Sequence, residues 1–143
     1  MILACRSCGR KNRVDVANLV RAVRCGACKT TLAPVSEPLD ADPELFDEVV
    51  RGATVPVLVD FWAAWCGPCR IAAPEVKKTA ATMAGRALVL KVDTEKYPEL
   101  GARYQVSGIP NFVILKGGRP VFQQPGATSS ANMTRWLEEA LAA

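Results

Sequence analysis

Val57-Leu58-Val59-Asp60-Phe61-Trp62-Ala63-Ala64-Trp65-Cys66-Gly67-Pro68-Cys69-Arg70 is the stretch on which the fold turns. Residues 55–63 are almost continuously apolar, the pattern of a strand whose two sheet faces are both covered by helices. The pattern breaks at Trp65. Gly67 and Pro68 separate two cysteines and suit a tight strand-to-helix turn, since proline is tolerated in a first helical turn. Helical spacing resumes over residues 71–84, where Pro74 removes a backbone donor and is predicted to kink the helix. A thiol at a helix N-terminus faces unpaired amides and the positive end of the dipole, and both favour thiolate over thiol. Cys66, first and outermost, is therefore the expected nucleophile, and Cys69, one turn further in, the resolving thiol. Asp60 is a carboxylate inside this apolar strand. Burial would raise its pKa toward neutrality and make it a proton acceptor; an outward-pointing Asp on a half-exposed strand is the other reading, and the pattern leaves both open.

Outward from this stretch the pattern alternates. Asp42-Pro43 reads as an N-cap and first helical residue ahead of an apolar face of Leu45, Phe46, Val49 and Val50. Residues 87–93 form a second buried strand, with Lys91 among its apolar neighbours, and 95–104 a short helix. Residues 112–115 and 120–124 flank Gly117-Gly118, a hairpin turn. Met133, Trp136, Leu137, Ala140 and Leu141 line one face of a closing helix. Parallel strands precede an antiparallel hairpin, so the expected class is α/β, a mixed sheet flanked by helices.

Residues 1–36 read differently. They hold seven basic residues and one acid, a net +6, whereas the rest carries eleven bases and thirteen acids, and the two parts give the +4 of the whole chain. Pro34, Pro38 and Pro43 punctuate an acidic stretch that marks a boundary, dividing the chain into a module at 1–35 and a domain at 36–143. Four of the six cysteines lie in this head as Cys5-x2-Cys8 and Cys25-x2-Cys28. Gly9 and Gly26 let each pair turn tightly. Four thiolates so spaced suit a closed, structural zinc tetrahedron; two disulfides and free thiols are the other readings. So short a segment cannot bury enough apolar surface to fold unaided, so the cysteines are expected to staple it. Nucleic acid is not an expected partner, because the head has no aromatic residue for base stacking and a four-thiolate zinc centre offsets part of its positive charge. Histidine is absent throughout, which removes mixed Cys/His metal sites and any imidazole base. No apolar run reaches the ~18 residues of a membrane span. No leader is expected before Cys5, nor an organic cofactor, since residues 101–108 lack dinucleotide-binding glycine spacing.

The quoted stretch resembles the active-site segment of thioredoxins nearly residue for residue. The likeness continues through Pro74, Lys91-Val92-Asp93, Ile109-Pro110, Lys116-Gly117-Gly118 and Pro125-Gly126-Ala127, over about residues 36–143. The head resembles the zinc-binding N-terminal extension of the bacterial thioredoxin 2 type. Asn111 departs from the pattern, standing where the family has threonine. The resemblance implies a thioredoxin fold with a zinc-ribbon-like head holding one structural zinc on Cys5, Cys8, Cys25 and Cys28. It implies a thiol–disulfide oxidoreductase that reduces disulfides in target proteins. Asp60 would deprotonate Cys69, and Lys91 would pair with Asp60 and tune it. Gly67-Pro68 would favour the reducing direction. The Ile109–Pro110 bond would be cis and lie against the sulfurs. Trp65, Gly108, Ile109, Gly126 and Ala127 would form the rim where partners dock, with Trp62 beneath the site. An NADPH-dependent thioredoxin reductase would restore the dithiol of a cytoplasmic monomer. The competing expectation is a redox-sensing regulator in which oxidation of the head thiols releases zinc.

Overall fold

A computed structural model describes the whole chain, residues 1–143. The head is two antiparallel hairpins. Strand β1 (Ile2–Ala4) pairs with β2 (Lys11–Arg13), and β3 (Val23–Arg24) with β4 (Thr31–Leu32). A 3-10 turn, Val16–Asn18, joins them. Each hairpin loop is a Cys-x-x-Cys knuckle that ends on a left-handed residue: Gly9 (φ 77°) in the first and Lys29 (φ 65°) in the second. The sequence points to Gly26 for the second tight turn. The strained position instead follows the second cysteine of each pair, so it falls on Lys29, whose Nζ donates to the Gly26 carbonyl at 3.0 Å.

The body begins with a short strand, β5 (Leu39–Asp40), followed by α1 (Pro43–Gly52) and β6 (Val57–Trp62). Helix α2 (Gly67–Thr82), β7 (Leu88–Asp93), α3 (Pro98–Arg103), β8 (Asn111–Lys116), β9 (Arg119–Pro125) and α4 (Ser130–Ala142) complete it. The sheet order is β5-β7-β6-β8-β9, parallel across the first three strands and antiparallel across the last two pairings. Asp42 caps α1 as its sequence position predicts, accepting from Leu45 N at 2.8 Å. Gly117 and Gly118 both take positive φ, as a two-residue hairpin turn whose twist matches its strands requires. Helix α2 starts four residues before its apolar spacing does, because its first turn carries the dithiol and buries little of a core stripe. Helix α3 is shorter than its pattern suggests, because Asp93 turns the preceding residues back on itself. Its carboxylate accepts from Glu95 N at 2.9 Å and its carbonyl from Tyr97 N at 2.9 Å.

Alternate residues of the central strand feed two separate cores. Val57, Val59 and Phe61 face Phe46 and Val49 of α1 and Leu100 of α3, whereas Leu58 faces Val76 of α2 and Leu137 of α4. This accounts for the unbroken apolar run: both faces of β6 are covered. The head packs into the first of these cores. Val14, Val16 and Leu19 are buried in one cluster with Phe46, Val49 and Val57, so the expectation that cysteines alone hold the head is corrected. Val14 and Val16 alternate around Asp15, but the alternation ends there and Leu19 lies off it, so the pattern is too short to mark the three as buried. No helix is long and apolar enough to cross a membrane.

Candidate active site and cysteine cluster

Cys66 caps α2, and Cys69 lies in its first turn. The two are joined as a disulfide with their Cα atoms 5.2 Å apart. The Cys69 amide donates to Cys66 Sγ at 3.2 Å, the bond that would stabilise a thiolate there once the disulfide is reduced. Proline at the start of the helix removes no needed donor, and the Cys66 φ of −83° and ψ of 111° turn the chain from strand into helix. Exposure does not mark Cys66 as the outer thiol: the residues are 3% and 5% exposed. Trp62, Ala63 and Ile109 pack around the pair, and Cys66 Sγ lies 3.7 Å from the Ile109 carbonyl. The Ile109–Pro110 peptide is cis, and the Pro110 carbonyl accepts from Gly126 N at 2.8 Å. The loops that carry Gly108–Pro110 and Gly126–Ala127 thereby meet beside the disulfide.

Trp65 is 66% exposed and donates from Nε1 to Glu95 at 2.6 Å. Gly108, Gly126 and Ala127 are exposed and Ile109 half-buried, while Pro110 is buried. Asn111, the departure from the family pattern, is buried at the start of β8 and accepts from Gln123 Nε2 at 3.1 Å. The same amide nitrogen donates to the Tyr104 carbonyl at 2.9 Å, so Asn111 is tied through Gln123 to the end of α3.

Asp60 is 2% exposed, and its Oδ1 is buried without a hydrogen-bond partner. Burial pushes its pKa up to about 7, with the Lys91 charge pulling the other way. Lys91 is its register partner on β7, and Asp40 on β5 is the register partner of Lys91 on the other side, so the three residues form a row across adjacent strands. Asp60 takes part in none of the chain's ion pairs. The Lys91 Nζ instead lies 4.7 Å from the centre of the Trp62 ring, and Trp62 Nε1 is buried without a partner.

The four head cysteines are unpaired thiols whose sulfurs all lie within 4.8 Å of one another. Cys5 and Cys28 are 3.6 Å apart, as are Cys8 and Cys25. Four sulfurs at 2.3 Å from a tetrahedral zinc ion would be separated by about 3.8 Å, close to the two 3.6 Å pairs and inside the 4.8 Å that bounds the whole cluster. Backbone amides of Cys28 and Ala27 point at Cys25 and hold its thiol below the ordinary value, whereas at Cys8 the Arg10 amide is outweighed by burial and the neighbouring cysteines, which push the thiol up to about 11. Cys28 Sγ lies 3.2 Å from Thr30 Oγ1. Sequence reasoning missed three polar neighbours, Asn12 beside Cys25, Glu95 under Trp65 and Asp40 beside Lys91. None of them belongs to a motif, and only the folded chain brings them to their sites.

A reactive pair opening the helix after the central strand of such a sheet defines the class of dithiol–disulfide exchangers. Known proteins of similar sequence agree. Residues 37–139 match the thioredoxin family model. Thioredoxin C-3 of Corynebacterium nephridii is 36% identical over 141 residues, covering 99% of this chain and 96% of its own, so that likeness includes the head. Thioredoxin 1 of a Nostoc species is 42% identical over 96 residues, 67% of this chain and 90% of its own. Among solved structures, chloroplastic thioredoxin z has a TM-score of 0.69 at 28% identity, covering 75% of this chain and 96% of its own. The chain belongs to the thioredoxin family. It is an enzyme, a protein-disulfide reductase whose chemistry is thiol–disulfide exchange.

Proposed function

We propose that the chain is a zinc-carrying thioredoxin of the thioredoxin 2 type, with a metal-binding module at residues 1–35 and a reducing domain at 36–143. The observation that carries the catalytic reading is the disulfide-forming pair at the N-terminus of α2, backed by a buried carboxylate. In the reduced protein, the Cys66 thiolate attacks one sulfur of a target disulfide. A mixed disulfide forms and the target's other sulfur leaves as thiolate, taking a proton from solvent. Asp60 then takes the proton of Cys69, directly or through a water. The Cys69 thiolate attacks Cys66 Sγ, the target's second sulfur leaves, and the Cys66–Cys69 disulfide remains. The two electrons pass from the dithiol to the target, and an NADPH-dependent thioredoxin reductase returns them. Lys91 tunes Asp60 by its charge at a distance rather than as a contact pair. Gly67 and Pro68 hold the turn and favour the reducing direction. Trp65, Gly108, Ile109, Pro110, Gly126 and Ala127 form the docking rim, to which an extended target segment adds backbone hydrogen bonds.

Cys5, Cys8, Cys25 and Cys28 would hold one zinc ion per chain. Bound there, zinc would supply a structural cross-link between the two hairpins, since four protein ligands leave no open position. Unpaired thiols of this kind fit a reducing, cytoplasmic setting. The basic head is read as a solvated surface, and nucleic acid is not a proposed partner. The enzyme is taken to act as a monomer. Exposure of Cys8 and Cys28 favours a second activity in the same chain, redox sensing through thiol oxidation and zinc release. One experiment tests the main reading: dithiothreitol-driven insulin reduction by the parent, Cys66→Ser and a Cys5→Ser/Cys8→Ser double variant, with metal content and identity measured alongside. The expected result is loss of activity only in Cys66→Ser and loss of zinc only in the double variant. Full activity in Cys66→Ser would overturn the catalytic assignment.

A further inference from the structure

The two head hairpins are built alike. In the first, Cys5 N donates to Arg10 O and Gly9 N to Cys5 O; in the second, Cys25 N donates to Thr30 O and Lys29 N to Cys25 O. The likeness ends at Asn12 on β2, whose counterpart in the second hairpin is Leu32. The half-buried Asn12 side chain reaches across to the other knuckle. Its Oδ1 accepts from Gly26 N at 2.9 Å, and its Nδ2 donates to Cys25 Sγ at 3.6 Å and to its own hairpin's Arg10 carbonyl at 3.1 Å. The chemistry of the partners settles which way the amide faces. The Gly26 N–H can only donate, so oxygen meets it, and nitrogen meets the two acceptors. The hairpins share no strand pairing. Apart from the contacts among the thiols themselves, Asn12 makes the only hydrogen bonds between the two knuckles.

We propose that Asn12 is a positioning residue of the metal centre, holding the Cys25–Cys28 knuckle against the Cys5–Cys8 knuckle and donating to the Cys25 thiolate. This rests on the reading of the four cysteines as a zinc site. Two separate effects follow from one side chain. The Oδ1 bond fixes where Gly26, and with it the start of the second knuckle, sits relative to the first. The Nδ2 bond places a donor on a ligand sulfur, which offsets negative charge that four thiolates bring into a small volume. The other three sulfurs receive no side-chain amide. The centre is thus asymmetric, with its one ligand supported by a side-chain amide at the fully buried Cys25.

The test compares the full-length parent with Asn12→Ala and Asn12→Asp. Zinc affinity is read by competition with a chromophoric chelator, and the thiolate-to-metal charge-transfer band is read in the cobalt(II)-substituted proteins. Aspartate has the shape of asparagine and keeps an acceptor for Gly26 N, but it lacks the donor and sets a negative charge beside Cys25. Asn12→Ala is expected to weaken zinc binding roughly 10- to 100-fold. Asn12→Asp is expected to weaken it at least as much, and both are expected to shift the cobalt band. Zinc binding within twofold of the parent in both variants would overturn the proposal. Loss in Asn12→Ala with parent-like affinity in Asn12→Asp would overturn the donor role and leave Asn12 a purely geometric brace. A parent that binds no zinc would overturn the metal reading itself, an outcome distinct from either.

Discussion

At Asp60 a carboxylate is held among apolar neighbours with one oxygen unpartnered, so its ionised form is poorly solvated and its protonated form favoured. The folded pKa of about 7 lies above the ordinary carboxylate value of roughly 4. Between those two values the folded protein binds a proton that the unfolded chain has released. The oxidised protein therefore loses stability as pH rises through this window, up to about 4 kcal/mol by its upper edge. Asp60→Asn carries no such charge. Urea denaturation of the two oxidised proteins should coincide near pH 4 and diverge toward pH 8, with Asp60→Asn the more stable. Parallel pH profiles would mean that the carboxylate is solvated in the protein. Much of this was legible in the strand pattern, which admits a buried Asp60, but the pattern could not say how Lys91 acts on it. The ammonium is a register neighbour that settles over Trp62, and a side chain's direction depends on packing that no local pattern encodes.

Among the elements, α1 does two things its sequence advertises only in part. Its Asp42 cap and apolar face are plain in the residues. Its second contact, with the head, depends on Gly52 at its C-terminus. A Cβ at Gly52 would come within 2.9 Å of Val16 Cβ, so even alanine must push the head away. Gly52→Ala is expected to destabilise the protein by about 1–3 kcal/mol through overpacking, read as a lowered urea midpoint. Leu19→Ala probes the same seam from the other side. Leu19 is 1% exposed in the shared core, and truncation there should cost about 2–5 kcal/mol. A cost below half a kcal/mol would show that the head barely touches the body. The short strand β5 escaped notice for a physical reason: two residues between prolines carry no period, and only pairing with β7 makes them a strand.

For the whole molecule, the shared core links the four-cysteine head to the body that carries the dithiol. If zinc orders the hairpins, its free energy of binding also holds Val14, Val16 and Leu19 in place over α1. Removing metal from the full chain with a chelator should lower the thermal midpoint of the entire protein, not only unfold the head. A midpoint unmoved after metal loss would mean that apolar packing alone seats the head. The active-site turn, the alternation of strand and helix, the hairpin at Gly117-Gly118 and the pairing of four cysteines were all readable along the chain. Each is written in neighbouring residues, through backbone conformation, hydrophobic period or ligand spacing. The seating of the head on α1, the left-handed turn at Lys29, the row Asp40–Lys91–Asp60 and the reach of Asn12 to Cys25 belong to the tertiary structure. They join residues distant in sequence, or sum contacts from several elements, and such contacts exist only once the layers have packed.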